Sequence, residues 1–129
     1  MTAPRAMRST AWALALASLC LAGPAAAQDA AAGVGVFQTY CGVCHSVDKP
    51  ARNKIGPSLL GVVGRKAGAV AGFAYSSAMK AQGPVWTAAN LDAFLAAPAK
   101  AVPGTNMAFA GVKDAAKRAS LVAYLKQQK

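Results

Sequence analysis

Two cysteines and a histidine lie at a spacing suited to redox chemistry. Cys41, Cys44 and His45 form the motif C-x-x-C-H. This spacing lets two thiols bond covalently to the vinyl groups of a haem while the histidine supplies imidazole to the iron. A redox dithiol needs only the two cysteines, so the histidine that follows favours haem. The motif therefore predicts one haem c, attached through Cys41 and Cys44 and ligated by His45.

The pattern C-x-x-C also occurs in thioredoxin-like and zinc sites. Zinc needs more ligands, and the sequence holds one histidine, three cysteines and four acidic side chains. A thioredoxin fold needs buried strands alternating with helices, whereas this chain is alanine-rich with few β-branched runs. A simple disulfide between the two cysteines remains an alternative, although it does not use His45.

The first 27 residues have the layout of a secretory signal peptide. Arg5 and Arg8 precede a largely apolar stretch, and three alanines lie before Gln28. That stretch is shorter than the ~20 apolar residues that span a bilayer. Cys20 would be removed with the leader, since bulky Leu19 does not fit a lipoprotein cleavage site. We predict a cleaved signal peptide at residues 1–27, one domain at residues 28–129 and a periplasmic location.

The predicted mature domain is small and basic. Without Arg5 and Arg8, twelve basic and four acidic side chains remain, a formal charge of +8. Such a surface favours an acidic partner or an anionic membrane. The sequence has no stripe of alternating arginines and aromatic residues, so it does not suggest binding to nucleic acid. A domain of this size has a marginal core of its own, which a covalent haem would enlarge.

Short helices separated by loops would position the motif. Asp29 and Thr87 are candidate N-caps, Asp114 lies near the start of a C-terminal helix, and Pro98 should end the third helix. Residues 46–74 are rich in glycine and lack a sustained period, so they indicate ordered loops around a cofactor. The predicted helices cover residues 29–40, 76–82, 87–97 and 114–128.

The sixth iron ligand would separate an electron carrier from a haem with an open site. Two methionines remain in the predicted mature chain, Met79 and Met107. Met79 lies in a helix-like stretch, whereas Met107 follows Pro103 and Gly104 in a predicted loop that can bring a thioether over a flat cofactor. The loop favours Met107, with Met79 or an open site as alternatives.

Taken together, these residues resemble the class I c-type cytochromes, the family of mitochondrial cytochrome c and its short bacterial relatives. The resemblance covers nearly all of residues 30–127 and places Met107 as the axial ligand opposite His45. It implies an all-α fold of three to five helices, with long loops around one covalent haem. It rests on Gly33, Phe37, Cys41, Cys44, His45, Gly56, Pro57, Gly64, Arg65, Lys66, Tyr75, Trp86 and the segments 103–109 and 121–125.

The resemblance also implies individual roles. The Pro57 carbonyl would accept a hydrogen bond from the His45 ring, which orients the imidazole. Arg65, Tyr75 and Trp86 would bond the haem propionates, although Trp86 could equally be plain core. Gly33 and Phe37 would pack against Leu121 and Tyr124 where the terminal helices cross, and Phe109 would lie at the exposed haem edge.

The sequence departs from the family pattern at three places. Met79 replaces an asparagine that helps hold a buried water and a propionate. Phe94 replaces a tyrosine whose hydroxyl bonds the ligand methionine. Asn106, Ala99 and Asp114 stand where relatives often carry lysines, which thins the basic ring at the haem edge. The remaining candidates for that ring are Arg52, Lys54, Lys66, Lys100 and Lys113.

The resemblance implies a soluble, monomeric electron carrier, not an enzyme, without a stable membrane anchor or a nucleic-acid partner. It would dock on acidic faces of membrane redox complexes: a cytochrome bc complex, a terminal oxidase or a photosynthetic reaction centre. The alternatives are a haem sensor or weak peroxidase in which Met107 is labile and Lys100 replaces it at alkaline pH, and a disulfide-bearing binding module without haem.

Overall fold

The computed structural model describes residues 25–129, and these form five helices without a β-strand. An isolated bridge joins Lys66 to Val85. The predicted all-α fold is confirmed. Nearly all of the predicted leader lies outside the described residues, so its cleavage stays a prediction. The helices are α1 (Ala25–Tyr40), α2 (Ser77–Gln82), α3 (Ala88–Ala96), α4 (Pro98–Ala101) and α5 (Ala115–Gln127).

Local capping explains most of the helix boundaries. Thr87 accepts a hydrogen bond from the Asn90 amide (3.1 Å), so this predicted cap is confirmed. Asp114, predicted near the start of the C-terminal helix, is its N-cap and accepts from the Lys117 amide (3.0 Å). Asp29 is not a cap. It lies inside α1, which begins four residues earlier because the preceding alanines are strong helix formers.

Pro98 ends α3, as the sequence predicts, and it also begins α4. Proline suits the first turn of a helix because its missing N–H would have no intrahelical partner there. The sequence did not predict this extra turn. It leads directly into the segment that carries Met107. Within the described part of the chain, no helix has the length and apolarity needed to cross a bilayer.

The terminal helices α1 and α5 cross closely at Gly33. A Cβ at Gly33 would collide with the Ser120 carbonyl and the Tyr124 side chain, so only glycine permits this approach. Next to the crossing, the rings of Phe37 and Tyr124 lie 5.5 Å apart in a tilted arrangement. Leu121 is fully buried. The predicted helix crossing is therefore confirmed.

Backbone and side-chain hydrogen bonds shape the long loop between α1 and α2. The Arg65 guanidinium donates to the carbonyls of Ser58 (2.9 Å) and Leu60 (2.8 Å). The amide of Trp86 donates to the Arg65 carbonyl (2.9 Å), which ties this loop to the segment before α3. The loop is thus an ordered shell around one side of an interior cavity.

Candidate haem-binding site

An apolar cavity of about 420 Å³ opens between α1, the long loop and the segment after α4. Cys41, Cys44 and His45 line it from the end of α1, and Met107 lines it from the segment after α4. The structure therefore brings the C-x-x-C-H motif and the predicted sixth ligand to one cavity, although 62 residues separate His45 from Met107 in sequence.

The two thiols reach the cavity because α1 continues into one further turn. The amide of Cys41 donates to the Phe37 carbonyl and that of His45 to the Cys41 carbonyl, both at 2.8 Å. Neither Cys41 nor Cys44 forms a disulfide within the described residues. Burial, with a smaller contribution from the neighbouring Cys44, raises the pKa of the Cys41 thiol to about 11. A reactive redox thiol has a lowered pKa, so this environment does not favour dithiol exchange.

His45 is held in one orientation by the backbone that follows it. Its Nδ1 donates to the Pro57 carbonyl at 2.7 Å, the contact that the resemblance implied. This bond places the proton on Nδ1 and leaves the Nε2 lone pair for a metal. Burial lowers the pKa of His45 below its ordinary value, the bond to Pro57 opposes this, and Lys54 lowers the pKa further. The imidazole is thus neutral at physiological pH, as ligation requires.

Gly56 lies directly against the His45 ring. A Cβ at this position would overlap Cε1, Nδ1 and Nε2 of the imidazole. The amide of Gly56 also donates to the Cys44 carbonyl at 2.7 Å, which connects the loop to the motif. The absence of a side chain at Gly56 therefore sets the space in which the ring stands.

The segment after α4 presents Met107 as a half-buried side chain. Its amide donates to the Thr105 hydroxyl at 3.3 Å, and its carbonyl accepts from the Phe109 amide at 3.0 Å. Gly104 has a φ of +89°, a conformation that glycine adopts without strain. The non-helical loop predicted around Met107 is present, and Phe109 also lines the cavity.

Met79 also lines the cavity, from α2, and it is more deeply buried than Met107. Its presence at the cavity fits the family position assigned to it, where it adds a thioether in place of an amide. Phe94 lines the cavity as well and packs on Trp86, with the ring centroids 4.9 Å apart. Both departures from the family pattern therefore make the cavity less polar.

The three residues predicted to hydrogen-bond the haem propionates occupy different environments. Tyr75 and Trp86 line the cavity, but Arg65 is not among the lining residues, and its guanidinium bonds two loop carbonyls. The Tyr75 hydroxyl accepts from the Val70 amide at 3.3 Å, which leaves its own proton to donate. The propionate roles of all three residues stay predictions.

Several lining residues carry no motif and were missed in the sequence. They come from the last residue of α1, the glycine-rich loop and α3, where their apolar character was the only available signal. In the described residues no group of three or more His, Cys, Asp or Glu side chains forms a metal cluster. The missed residues are Tyr40, Ile55, Leu59, Val62, Phe73, Leu91 and Leu95.

The residues present fit a haem. The cavity lining is apolar enough for a porphyrin body, and two cysteine side chains lie at its edge. The Nε2 atom of His45 is available as a neutral ligand, because the Pro57 carbonyl holds the ring through Nδ1. Trp86 supplies an indole N–H at the lining, and no fully buried side-chain nitrogen or oxygen of the described residues lacks a partner. An apolar cavity with these few polar groups is typical of a cofactor site.

Comparisons with known proteins agree with this geometry. A family model described as Cytochrome c matches residues 30–129. The chain is 51% identical over 104 residues to cytochrome c2 of Blastochloris viridis, covering 81% of each protein. It is 47% identical over 98 residues to cytochrome c of Gibberella zeae, covering 76% of this chain and 92% of that one.

A solved structure, cytochrome cH from Methylobacterium extorquens, is also similar. It superposes with a TM-score of 0.71 at 46% sequence identity, covering 76% of this chain and 97% of that one. The family match and these relatives show that the chain belongs to the cytochrome c family, as a monohaem electron carrier that is not an enzyme and binds one haem c covalently through Cys41 and Cys44.

Proposed function

We propose that this cytochrome is a soluble periplasmic protein that carries single electrons between membrane redox complexes, with His45 and Met107 as the two axial iron ligands. The observation that carries this proposal is the meeting of the oriented His45 ring and the Met107 loop at one apolar cavity. The leader-like residues 1–27 support export, and the basic surface supports acidic docking faces.

When bound, the haem would supply the redox change, a gain or loss of one electron at its iron. The residues of the chain would orient the iron ligands, tune the reduction potential and keep other ligands from the iron. His45, held by Pro57, gives a nitrogen ligand of fixed orientation, and Met107 gives a neutral sulfur ligand, which favours the ferrous state and raises the potential. With His45 and Met107 both bound to the iron, no coordination position would remain for oxygen or peroxide. The apolar lining excludes water, so little solvent reorganises during transfer.

We further propose that Tyr75 and Trp86 donate to the haem propionates from the cavity lining. The free hydroxyl proton of Tyr75 and the indole N–H of Trp86 support this role, since buried carboxylates need donors to offset their desolvation. Arg65 would act through the backbone. It holds the Ser58–Leu60 carbonyls and, through its own carbonyl, the Trp86 amide.

Visible spectroscopy of the purified holoprotein tests the axial ligands. We expect a haem c spectrum with the weak far-red band of methionine bound to ferric iron. Met107→Ala should abolish this band, because the thioether leaves the iron. Met79→Leu is the matched control: it removes the other cavity thioether at similar volume and should keep the band.

The opposite pattern would assign the ligand to Met79 instead. A haem spectrum without the band at neutral pH would contradict six-coordination by methionine and favour a sensor or weak peroxidase. Cell fractionation tests the location: haem-containing protein retained in the cytoplasm of a maturation-competent bacterium would contradict export.

A further inference from the structure

The far end of the segment that carries Met107 is fixed between two helices. The amide of Val112, which follows Met107 closely in sequence, donates to the Leu95 carbonyl in the last turn of α3 at 2.8 Å. The Val112 carbonyl accepts from Nη1 of Arg118, on α5, at 2.9 Å. Val112 is also buried. Both backbone polar groups of this residue are therefore bonded, one to each helix.

Arg118 joins the two helices to each other as well as to the segment. Its Nε donates to the Asp92 carboxylate on α3 at 3.0 Å, and its Nη1 donates to a second carbonyl, that of Lys113, at 3.0 Å. The Arg118 side chain is 14% exposed, against 70% for Arg52, which makes an ion pair with Asp48. A guanidinium suits this geometry, because it presents several N–H donors in one rigid plane.

Two further contacts hold residues 111–113 on the end of α3. The Lys113 ammonium donates to the Ala96 carbonyl at 2.8 Å. Gly111 has a φ of +94° and lies so close to Ala96 that a Cβ there would overlap the Ala96 carbonyl. The last carbonyls of a helix have no intrahelical partners. Residues 111–113 therefore cap α3, the helix that places Phe94 in the cavity lining.

The part of the segment nearest to Met107 is held more lightly. The described hydrogen bonds of Met107 lie within the segment itself, to the Thr105 hydroxyl at 3.3 Å and from the Phe109 amide at 3.0 Å. Bonds within a segment do not fix its distance from the rest of the protein. On the C-terminal side, the attachment to α3 and α5 does so. We call this attachment the clasp, and its members are Asp92, Arg118 and residues 111–113.

We propose that Arg118 is a positioning residue for the axial methionine: through the clasp, it holds the segment where the Met107 thioether stays on the iron. This inference rests on the proposed ligation by Met107. Release of the thioether requires the segment to move away from the cavity, which pulls residues 111–113 from the two helices. Hydrogen bonds from a charged, part-buried donor are stronger than those from a neutral one, so the clasp stabilises the ligated arrangement over the released one.

Competition by imidazole tests the proposal on the ferric holoprotein at neutral pH. Free imidazole binds the iron only after the thioether has left, so its apparent affinity reports how easily the segment is released. The loss of the far-red band measures this affinity as imidazole is added. Hydrogen exchange of the Val112 amide gives a second readout, because it follows opening of the clasp and does not involve the iron.

The main variant is Arg118→Met, which keeps an apolar stem and removes the donors. We expect imidazole to bind about tenfold more tightly and the Val112 amide to exchange about tenfold faster, because two carbonyls lose a charged donor. Arg118→Lys should recover part of the change, to about threefold, since one ammonium cannot match the planar set of donors. Asp92→Asn keeps an acceptor oxygen without the charge and should tighten imidazole binding about twofold.

Two controls separate the clasp from net charge and from overall stability. Lys117→Met makes the same charge change at the neighbouring, exposed position of α5 and should leave the imidazole affinity unchanged. Gly33→Ala destabilises the crossing of α1 and α5, where its methyl would meet the Ser120 carbonyl, and should also leave that affinity unchanged. Guanidinium unfolding measures the overall stability of each variant.

Three results would contradict the proposal, and they differ in what they leave standing. Wild-type imidazole affinity in Arg118→Met, with the far-red band intact, would overturn the role of the clasp while Met107 remained the ligand. A change in Gly33→Ala as large as that in Arg118→Met would also overturn it, because the affinity would then follow overall stability. A wild-type holoprotein without the band would instead contradict the Met107 ligation on which the inference rests.

Discussion

At the scale of single residues, the site depends on the backbone behind His45, the proposed iron ligand. The Pro57 carbonyl fixes Nδ1 of His45, and Gly56 leaves room for the ring. Neither contact involves the haem directly, yet together they set the angle and basicity of the imidazole. The C-x-x-C-H motif alone identifies the ligand, but its orientation depends on a loop eleven and twelve residues away.

Gly56→Ala tests this arrangement. The added methyl would overlap the His45 ring, so the ring or the loop must shift. We expect a loss of about 1–3 kcal/mol in the free energy of unfolding, the usual cost of overpacking, together with a changed reduction potential. Guanidinium unfolding and redox titration of the holoprotein measure both. A variant with wild-type stability and potential would show that the ring is not constrained by Gly56.

At the scale of secondary structure elements, α1 does two tasks. Its middle packs on α5 at Gly33, and its last turn delivers Cys41 and Cys44 to the cavity. The crossing therefore holds in place the helix whose C-terminal end carries the haem-binding cysteines. In the same way, α4 ends directly before the loop that presents Met107, so helix packing positions both predicted axial ligands.

Two glycines of α1 provide a matched pair. Gly33→Ala should destabilise the protein by about 1–3 kcal/mol, because its methyl meets the backbone of α5. Gly35→Ala meets nothing within 4 Å, so it should stabilise α1 by about 0.5–1 kcal/mol through helix propensity. Thermal unfolding of the two holoproteins compares them. Equal effects of the same sign would argue against close packing at this crossing.

At the scale of the whole molecule, charge and apolar surface have different ranges. The predicted mature chain has a formal charge of +8, but the ring of lysines expected at the haem edge is thinned, and two of the remaining candidates donate to backbone carbonyls. Charge acts over about 10 Å at 0.1 M salt, whereas apolar contact acts only on touching. We therefore expect the basic surface to act mainly on the encounter with a partner.

The electron-transfer rate with a membrane oxidase or reductase should consequently fall steeply as ionic strength rises and then level off. The fall reflects loss of steering, and the plateau reflects contact at the haem edge. Stopped-flow kinetics across a salt series measures the curve. A rate that stays flat from low to high ionic strength would contradict electrostatic steering by the basic surface.

Much of this structure could be predicted from the sequence, because the features concerned depend on residues close together in the chain or on the family pattern. The covalent haem followed from C-x-x-C-H, and the cap at Thr87 followed from a side chain type that accepts from an amide two or three residues ahead. The family resemblance correctly implied the close approach at Gly33 and the bond between His45 and Pro57. These features depend on neighbouring residues or on positions that the family pattern assigns individually.

Only the tertiary structure decided the features that depend on contacts between distant segments. It placed Arg65 on loop carbonyls outside the cavity lining, filled that lining with residues such as Ile55 and Phe73, and brought Gly56 against the His45 ring. The spacing of residues in the sequence does not determine such contacts between distant segments, because a long loop can adopt many conformations. Packing around the cavity selects one of them.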